Sequence, residues 1–276
     1  MHGKLNWSVY LFVMVGMASV FHSAFAAPLE LESGKYRVGI SDKTFCLNSI
    51  EFDGILLCNS GCSMISPKTA NFIREDSKDS RLISVRFTVD GKIVDPPSGK
   101  YAGNKLILEK TYQLGGIKIV SALTLTADEI TIASHWELVA DQPLVSFYFY
   151  TFHWSKVHDQ WCARFQNDIS ASGTFEGNEK FYLTRNPSSI RWFAVFSSVE
   201  QKGMIGVFNS EAVHAGYSRF WDRAGSRVLL YDLVLPQNPA VKRKSPTYAV
   251  VLRGFGTKAD QWKETAEKIA SRLVRD

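Results

Sequence analysis

Between His153 and Arg164 six side chains are of types that could meet a ligand together: His153, Trp154, His158, Asp159, Trp161 and Arg164. Most of them end the run FYFYTFHWSKVHDQW, from Phe147 to Trp161, in which nine of fifteen residues are aromatic rings or histidines. Flat rings beside hydrogen-bonding groups suit a sugar: a ring packs on the C–H face while polar groups take the hydroxyls. Trp154 or Trp161 is then the platform and Asp159 or Arg164 the hydroxyl partner; with a uronic acid, Arg164 would pair with the carboxylate bidentately. The competing reading is a buried strand running into a solvated loop, because Phe, Tyr and Trp form strands and bury large areas. That reading fits Phe147–Phe152 better than His153–Trp161, where charge interrupts the pattern.

A second cluster comprises Glu211, His214, Tyr217, Arg219, Trp221, Asp222 and Arg223. Its SRFWDRAGSR stretch reads as an exposed rim with an anchored ring, or as a structural Trp under a salt-bridged turn. Sugar chemistry by proton transfer needs a base and an acid. His153, His214, Glu211 and Tyr217 are the candidate catalytic residues; Trp154, Trp161, Arg164, Trp221 and Arg223 are the candidate binding residues. The sequence has no serine-nucleophile elbow, phosphate loop, dinucleotide fingerprint or H-E-x-x-H motif. No cofactor is expected. Nor is a metal site, because the C-x3-C spacing of Cys58 and Cys62, and Cys162 near the single His158, make a poor ligand set.

The elements around these residues are strands. Asp53-Gly54 and Asp90-Gly91 are hairpin turn signals, between Phe45–Phe52 and Ile55–Leu57 and between Leu82–Val89 and Lys92–Val94. Lys105–Leu114, Ile117–Thr126 and Glu129–Val139 follow, with Ile117, Ile119, Ser121, Leu123 and Leu125 alternating onto one face. Further runs are Arg164–Ser170, Ile190–Ser197, Met204–Phe208, Arg227–Leu235 and Thr247–Arg253. So many alternating strands with short turns predict an all-β fold, a large antiparallel β-sandwich. One helix is predicted at Thr257–Arg275, where Trp262, Ala266, Ile269 and Leu273 recur at helical spacing. Thr257 or Asp260 is its expected cap, and a sandwich edge or rim its expected seat.

The segment from Ser121 to Trp154, SALTLTADEITIASHWELVADQPLVSFYFYTFHW, resembles the middle of galactose mutarotase-like proteins. There a Y-x-L-T strand, an acidic turn and an L-x-I strand precede a proline that opens an aromatic strand carrying histidine. The resemblance implies a β-supersandwich and carbohydrate activity. The chain departs from the family's enzymes in one respect: after Pro143 it reads LVSFYFYT, and the first histidine, His153, comes several residues later than theirs. Glu211 near His214 is the candidate for the family's late catalytic glutamate.

Composition sets the compartment and the partners. Lys4, the apolar Val9–Val20 and Ala24-Phe25-Ala26 form a tripartite signal peptide over residues 1–26, with an uncleaved N-terminal anchor as the alternative. Residues 27–276 are expected to form one domain, secreted or periplasmic, without a further membrane span. A net charge of +5 with scattered basic residues gives nucleic-acid binding little support; Lys242-Arg243-Lys244 reads as a solvated loop. Export makes disulfides among Cys46, Cys58, Cys62 and Cys162 plausible, one of them stapling the N-terminal hairpin region, with free buried thiols as the alternative. The leading expectation is an exported protein that recognises carbohydrate, acidic polysaccharide included, with both clusters on one sheet face. The alternatives are a polysaccharide lyase or sugar epimerase, and a structural or adhesion protein of the envelope without a small ligand.

Overall fold

The computed structural model describes residues 28–67, 71–95, 97–140, 144–182, 189–233 and 244–274. The expected signal peptide, Pro143 and the Lys242-Arg243 pair lie outside them. The strands run β1 Leu29–Ser33, β2 Tyr36–Ile40, β3 Leu47–Phe52, β4 Ile55–Pro67, β5 Ile73–Arg74, β6 Ser80–Val89 and β7 Lys92–Val94. They continue with β8 Lys100–Ala102, β9 Lys105–Leu114, β10 Ile117–Thr126, β11 Ile130–Leu138, β12 Leu144–Trp154, β13 Gln160–Phe165 and β14 Ser170–Thr174. After β15 Phe181–Tyr182, β16 Ile190–Ser197 and β17 Lys202–Phe208 come helix α1 Ser210–Ala215, β18 Gly216–Asp222, β19 Arg227–Leu233, β20 Tyr248–Gly256 and helix α2 Trp262–Leu273.

They build two ten-stranded sheets. The first has the order β15-β18-β19-β12-β4-β3-β2-β1-β8, with β5 paired to β4; the second has the order β14-β13-β16-β17-β20-β11-β10-β9-β6-β7. Neighbours pair antiparallel except β1 with β8. The expected β-sandwich is borne out. Both Asp-Gly turns hold positive φ at both central residues, 52° and 81° at Asp53-Gly54 and 48° and 82° at Asp90-Gly91. This is the twist-matched turn that a two-residue hairpin needs. In β10 the alternation holds residue by residue, with Ile117, Ile119, Ser121, Leu123 and Leu125 buried between the sheets.

The aromatic strand β12 departs from simple alternation. Its pairing with β19 shifts register between Tyr148 and Tyr150, a bulge that puts two consecutive rings, Phe149 and Tyr150, into the core. Phe147, Phe152 and Trp154 also point inward, while Tyr148 belongs to a separate outer cluster. The ring of Tyr150 fits because Gly61 of β4 offers no side chain: a Cβ there would meet Tyr150 Cε1 at 2.5 Å. A buried ion pair, Lys110 of β9 with Glu75 after β5, adds a polar crosslink between the sheets. Lys110 Nζ also donates to the Phe45 carbonyl at 2.8 Å, and Glu75 accepts the Ser63 amide at 3.0 Å.

Four expectations need correction. The predicted strand Arg164–Ser170 is a hairpin of β13 and β14, turned where Asp168 adopts a φ of 63°. SRFWD is no rim but strand β18, with Phe220 in the core. The last helix begins five residues late, at Trp262; the Thr257 amide bonds the Gln201 carbonyl at 3.0 Å, and the N-cap, Gln261, makes no side-chain cap. That helix lies across the outer face of the second sheet, where Trp262 stacks on Phe196 at 5.2 Å and donates from Nε1 to Gln160 at 2.7 Å. Finally, all four cysteines are free and buried, so the expected staple is not present.

Candidate functional site

Strand register places the candidate residues in rows across the outer face of the first sheet. One row runs Phe181, Trp221, Val228, His153, Ser60 over β15, β18, β19, β12 and β4. The next runs Arg219, Leu230, Thr151, Cys62, and the third includes Tyr148, Met64 and Arg74. At an interstrand spacing of about 4.8 Å, Phe181 to His153 spans roughly 14 Å. Tyr148, Val228 and Leu230 form an outer apolar cluster, with Trp221 and Met64 packed on it. Helix α2 covers the corresponding face of the other sheet; among the described residues no helix covers this one.

Trp221 and Phe181 stack with centroids 5.2 Å apart and planes at 19°. The Arg223 guanidinium carbon sits 4.5 Å from the Trp221 ring centre, and that of Arg219 lies 5.6 Å from the centre of Phe181. Arg219 Nη2 donates to the Tyr148 hydroxyl at 3.0 Å, and Phe72 lies 6.0 Å from the Tyr148 ring. Phe181 and Phe72 are 46% and 55% exposed, so the outer rings remain open to a partner. Cation–π contacts with arginine hold such rings in a fixed pose.

Asp222 positions the stack. This fully buried carboxylate accepts the amides of Glu176 at 2.7 Å and Gly177 at 3.0 Å, and Arg227 Nη1 lies 3.2 Å away. The Asp222 backbone meanwhile exchanges hydrogen bonds with Glu179 and Lys180 at 2.8 and 2.9 Å. The 176–180 segment is thereby wrapped around the end of β18, and Phe181 is delivered opposite Trp221.

The other sequence candidates fall elsewhere. Trp154 and Trp161 are core residues: Trp154 is stacked on Phe152 at 5.0 Å, and Trp161 packs on Tyr182 and Phe220 at 5.5 and 5.6 Å. Neither presents a ring face to solvent, which corrects the expectation that either is a sugar platform. Their strands alternate inward at those positions, and the space between sheets demands large rings. Arg164 lies on the other sheet, bonded to Ser170 Oγ at 2.9 Å and 3.6 Å from Asp168. Of the first cluster's strand residues, His153 shares the sheet face of Trp221, whereas Trp154, Trp161 and Arg164 do not.

His158 is wholly buried, with Nε2 2.9 Å from the Leu57 carbonyl; burial lowers its pKa to about 4. Asp159 clips the Ser198 amide at 2.8 Å. Glu211 is exposed on α1, and the side chains of His214 and Tyr217 lie outside the described residues. Along β18, Tyr217 stands four residues from Trp221, so its row is roughly 13 Å from that of His153. His153 is half-buried in the Trp221 row; burial, then Arg74 and Arg223, lower its pKa, which favours the neutral imidazole. Sequence reasoning missed Tyr148, Phe181 and Arg74. The signal was the alternation of β12 and β18, hidden in one case by the bulge and in the other by flanking charges.

Structural comparison finds this β-sandwich architecture in several solved proteins and bears out the fold that the resemblance implied. The fold matches an Escherichia coli K12 protein assigned as an aldose 1-epimerase, with a TM-score of 0.50 at 12% identity, over 84% of this chain and 99% of that one. It also matches the alpha-N-acetylgalactosaminidase NagBb of Bifidobacterium bifidum, with a TM-score of 0.60 at 9% identity, over 89% of this chain and 39% of that one. The GH36 alpha-galactosidase AgaB of Geobacillus stearothermophilus gives 0.53 at 11% identity, with 84% of this chain and 40% of that one covered. The chain thus spans the whole of the first protein but about two fifths of the two glycosidases. No family model and no curated protein sequence matches it.

Proposed function

We propose that the chain is an exported, secreted or periplasmic protein that recognises poly- or oligosaccharide on the outer face of its first sheet. The observation that carries this reading is the row Phe181, Trp221, Val228, His153, with Arg219 and Arg223 packed on its rings. It combines one exposed ring, Phe181, and the part-buried Trp221 and His153 with arginine groups, a composition suited to a saccharide platform. The sugar-directed names of proteins with a similar fold support the same class. A glycan-array screen of the protein starting at Ala27 tests it: saccharide binding is the expected result, and an empty array with folded protein overturns the reading.

A catalytic version rests on His153. A histidine held neutral beside arginines can accept the proton alpha to a uronate carboxylate while a guanidinium neutralises the carboxylate; the electron pair left on carbon forms the C4–C5 double bond as the C4–O glycosidic bond breaks, and water protonates the departing oxygen. Unsaturated, ultraviolet-absorbing products from acidic polysaccharides would establish the lyase; their absence on a saccharide that binds leaves a binding protein.

A further inference from the structure

We propose that Glu75 and Lys110, the buried ion pair between the sheets, are positioning residues of the saccharide face: they set the register of the β5 segment and so hold Phe72 and Arg74 at that face. This deepens the reading of the face as a saccharide site and rests on it. Phe72, exposed, lies 6.0 Å from the Tyr148 ring, and Arg74 stands opposite Met64 on the neighbouring β4. The Arg74 charge is also near enough to His153 to lower the pKa of that imidazole. Along the segment the side chains alternate. Phe72 and Arg74 face outward, while Ile73 packs on the core and Glu75 is buried.

β5 is two residues long and pairs with β4 at Met64↔Arg74 and Ile65↔Ile73. A strand so short carries too little side-chain pattern to fix its own register, and a one-residue slip would turn Phe72 and Arg74 inward. Glu75 removes that freedom. Its amide donates to the Ser63 carbonyl at 3.0 Å, and its carboxylate accepts the Ser63 amide at 3.0 Å. The same carboxylate pairs with Lys110 of β9, in the opposite sheet. Lys110 Nζ is itself fixed, donating to the Phe45 carbonyl at 2.8 Å. Ser63 Oγ donates at 2.7 Å to the carbonyl of Phe149, in the bulge that turns Tyr148 outward. A buried carboxylate is satisfied only beside its counter-charge, so the ion pair admits one register of the segment. Apolar residues of similar volume would fill the same space without selecting that register. The charges therefore serve the face more than the fold.

Affinity electrophoresis of the purified protein in gels containing polygalacturonate, chondroitin sulfate, galactan or dextran tests the inference, with the polymer that retards wild type most carried through the variants. The double variant Glu75→Leu/Lys110→Met replaces the pair by apolar residues and leaves the net charge unchanged, since one acid and one base go together. Phe72→Ala is made in both backgrounds. Leu125→Ala, at a fully buried position of the second sheet, supplies a destabilised fold with an intact face. The double variant should melt within a few degrees of wild type and bind about fivefold more weakly. Phe72→Ala should weaken wild-type binding about fivefold but add less than about twofold in the double variant, where the ring is already displaced. Leu125→Ala should melt lower and bind as wild type. Wild-type affinity in the folded double variant overturns the inference while the saccharide reading stands. So does a double variant that fails to fold, or one whose loss Leu125→Ala matches. An equal loss from Phe72→Ala in both backgrounds, or no loss in wild type, overturns it as well. Wild-type binding to none of the polymers overturns both.

Discussion

Asp222 and Arg227 are the closing register pair of the β18–β19 hairpin, and their side chains meet at 3.2 Å with the carboxylate fully buried. Asp222 also receives two loop amides, so one side chain joins the hairpin to the segment that carries Phe181.

Asp222→Asn should therefore destabilise the fold by about 3 kcal/mol, the cost of leaving a buried guanidinium without its counter-charge. Denaturant melts measure it. A loss below about 1 kcal/mol would mean that the loop and the hairpin are held by other contacts.

Trp154 should behave as core. Trp154→Ala is expected to cost about 3–5 kcal/mol, since it removes a fully buried ring packed on Phe152 and Phe193. An unchanged melting midpoint, with binding lost, would return Trp154 to the ligand site.

Stability should fall on acidification through His158. Its folded pKa is lowered by burial from the ordinary 6.5 to about 4, so the unfolded chain binds the proton first. The stabilisation is fully present above pH 6.5 and is lost progressively as pH falls toward 4, by about 3 kcal/mol in all. His158→Gln should flatten that slope in urea melts at pH 7, 5.5 and 4.5; an undiminished slope would assign the acid loss to other groups.

The four thiols should be inert in the native protein. Burial pushes Cys58, Cys62 and Cys162 up to about 12, and Cys46 higher still. Thiol titration without reductant should give none in the native state and four after unfolding. Two after unfolding would reveal a disulfide.

Much of the scaffold was legible. Period-two alternation in β9–β11 and the Asp-Gly turns specify strands and their faces, because one face of each must be buried. The candidate site was legible only in part. Trp221, Arg223 and His153 were named from residue type, but consecutive residues in a strand point to opposite sheet faces, so His153 and Trp154 part company. The bulge at Phe149–Tyr150 reverses that phase for Tyr148, and no local signal announces a bulge whose inward Tyr150 ring needs a distant glycine to fit. Arg164 was joined to the cluster by nearness in sequence, whereas the chain changes sheets between β12 and β13.

Calorimetric titration of the best array saccharide into wild-type protein and Trp221→Ala tests the saccharide face most directly, since this ring stacks on Phe181 in the row yet is only half-buried. At least tenfold weaker binding with a melting midpoint within a few degrees of wild type is the predicted result. Unchanged affinity in folded Trp221→Ala would contradict it and move the ligand to another surface.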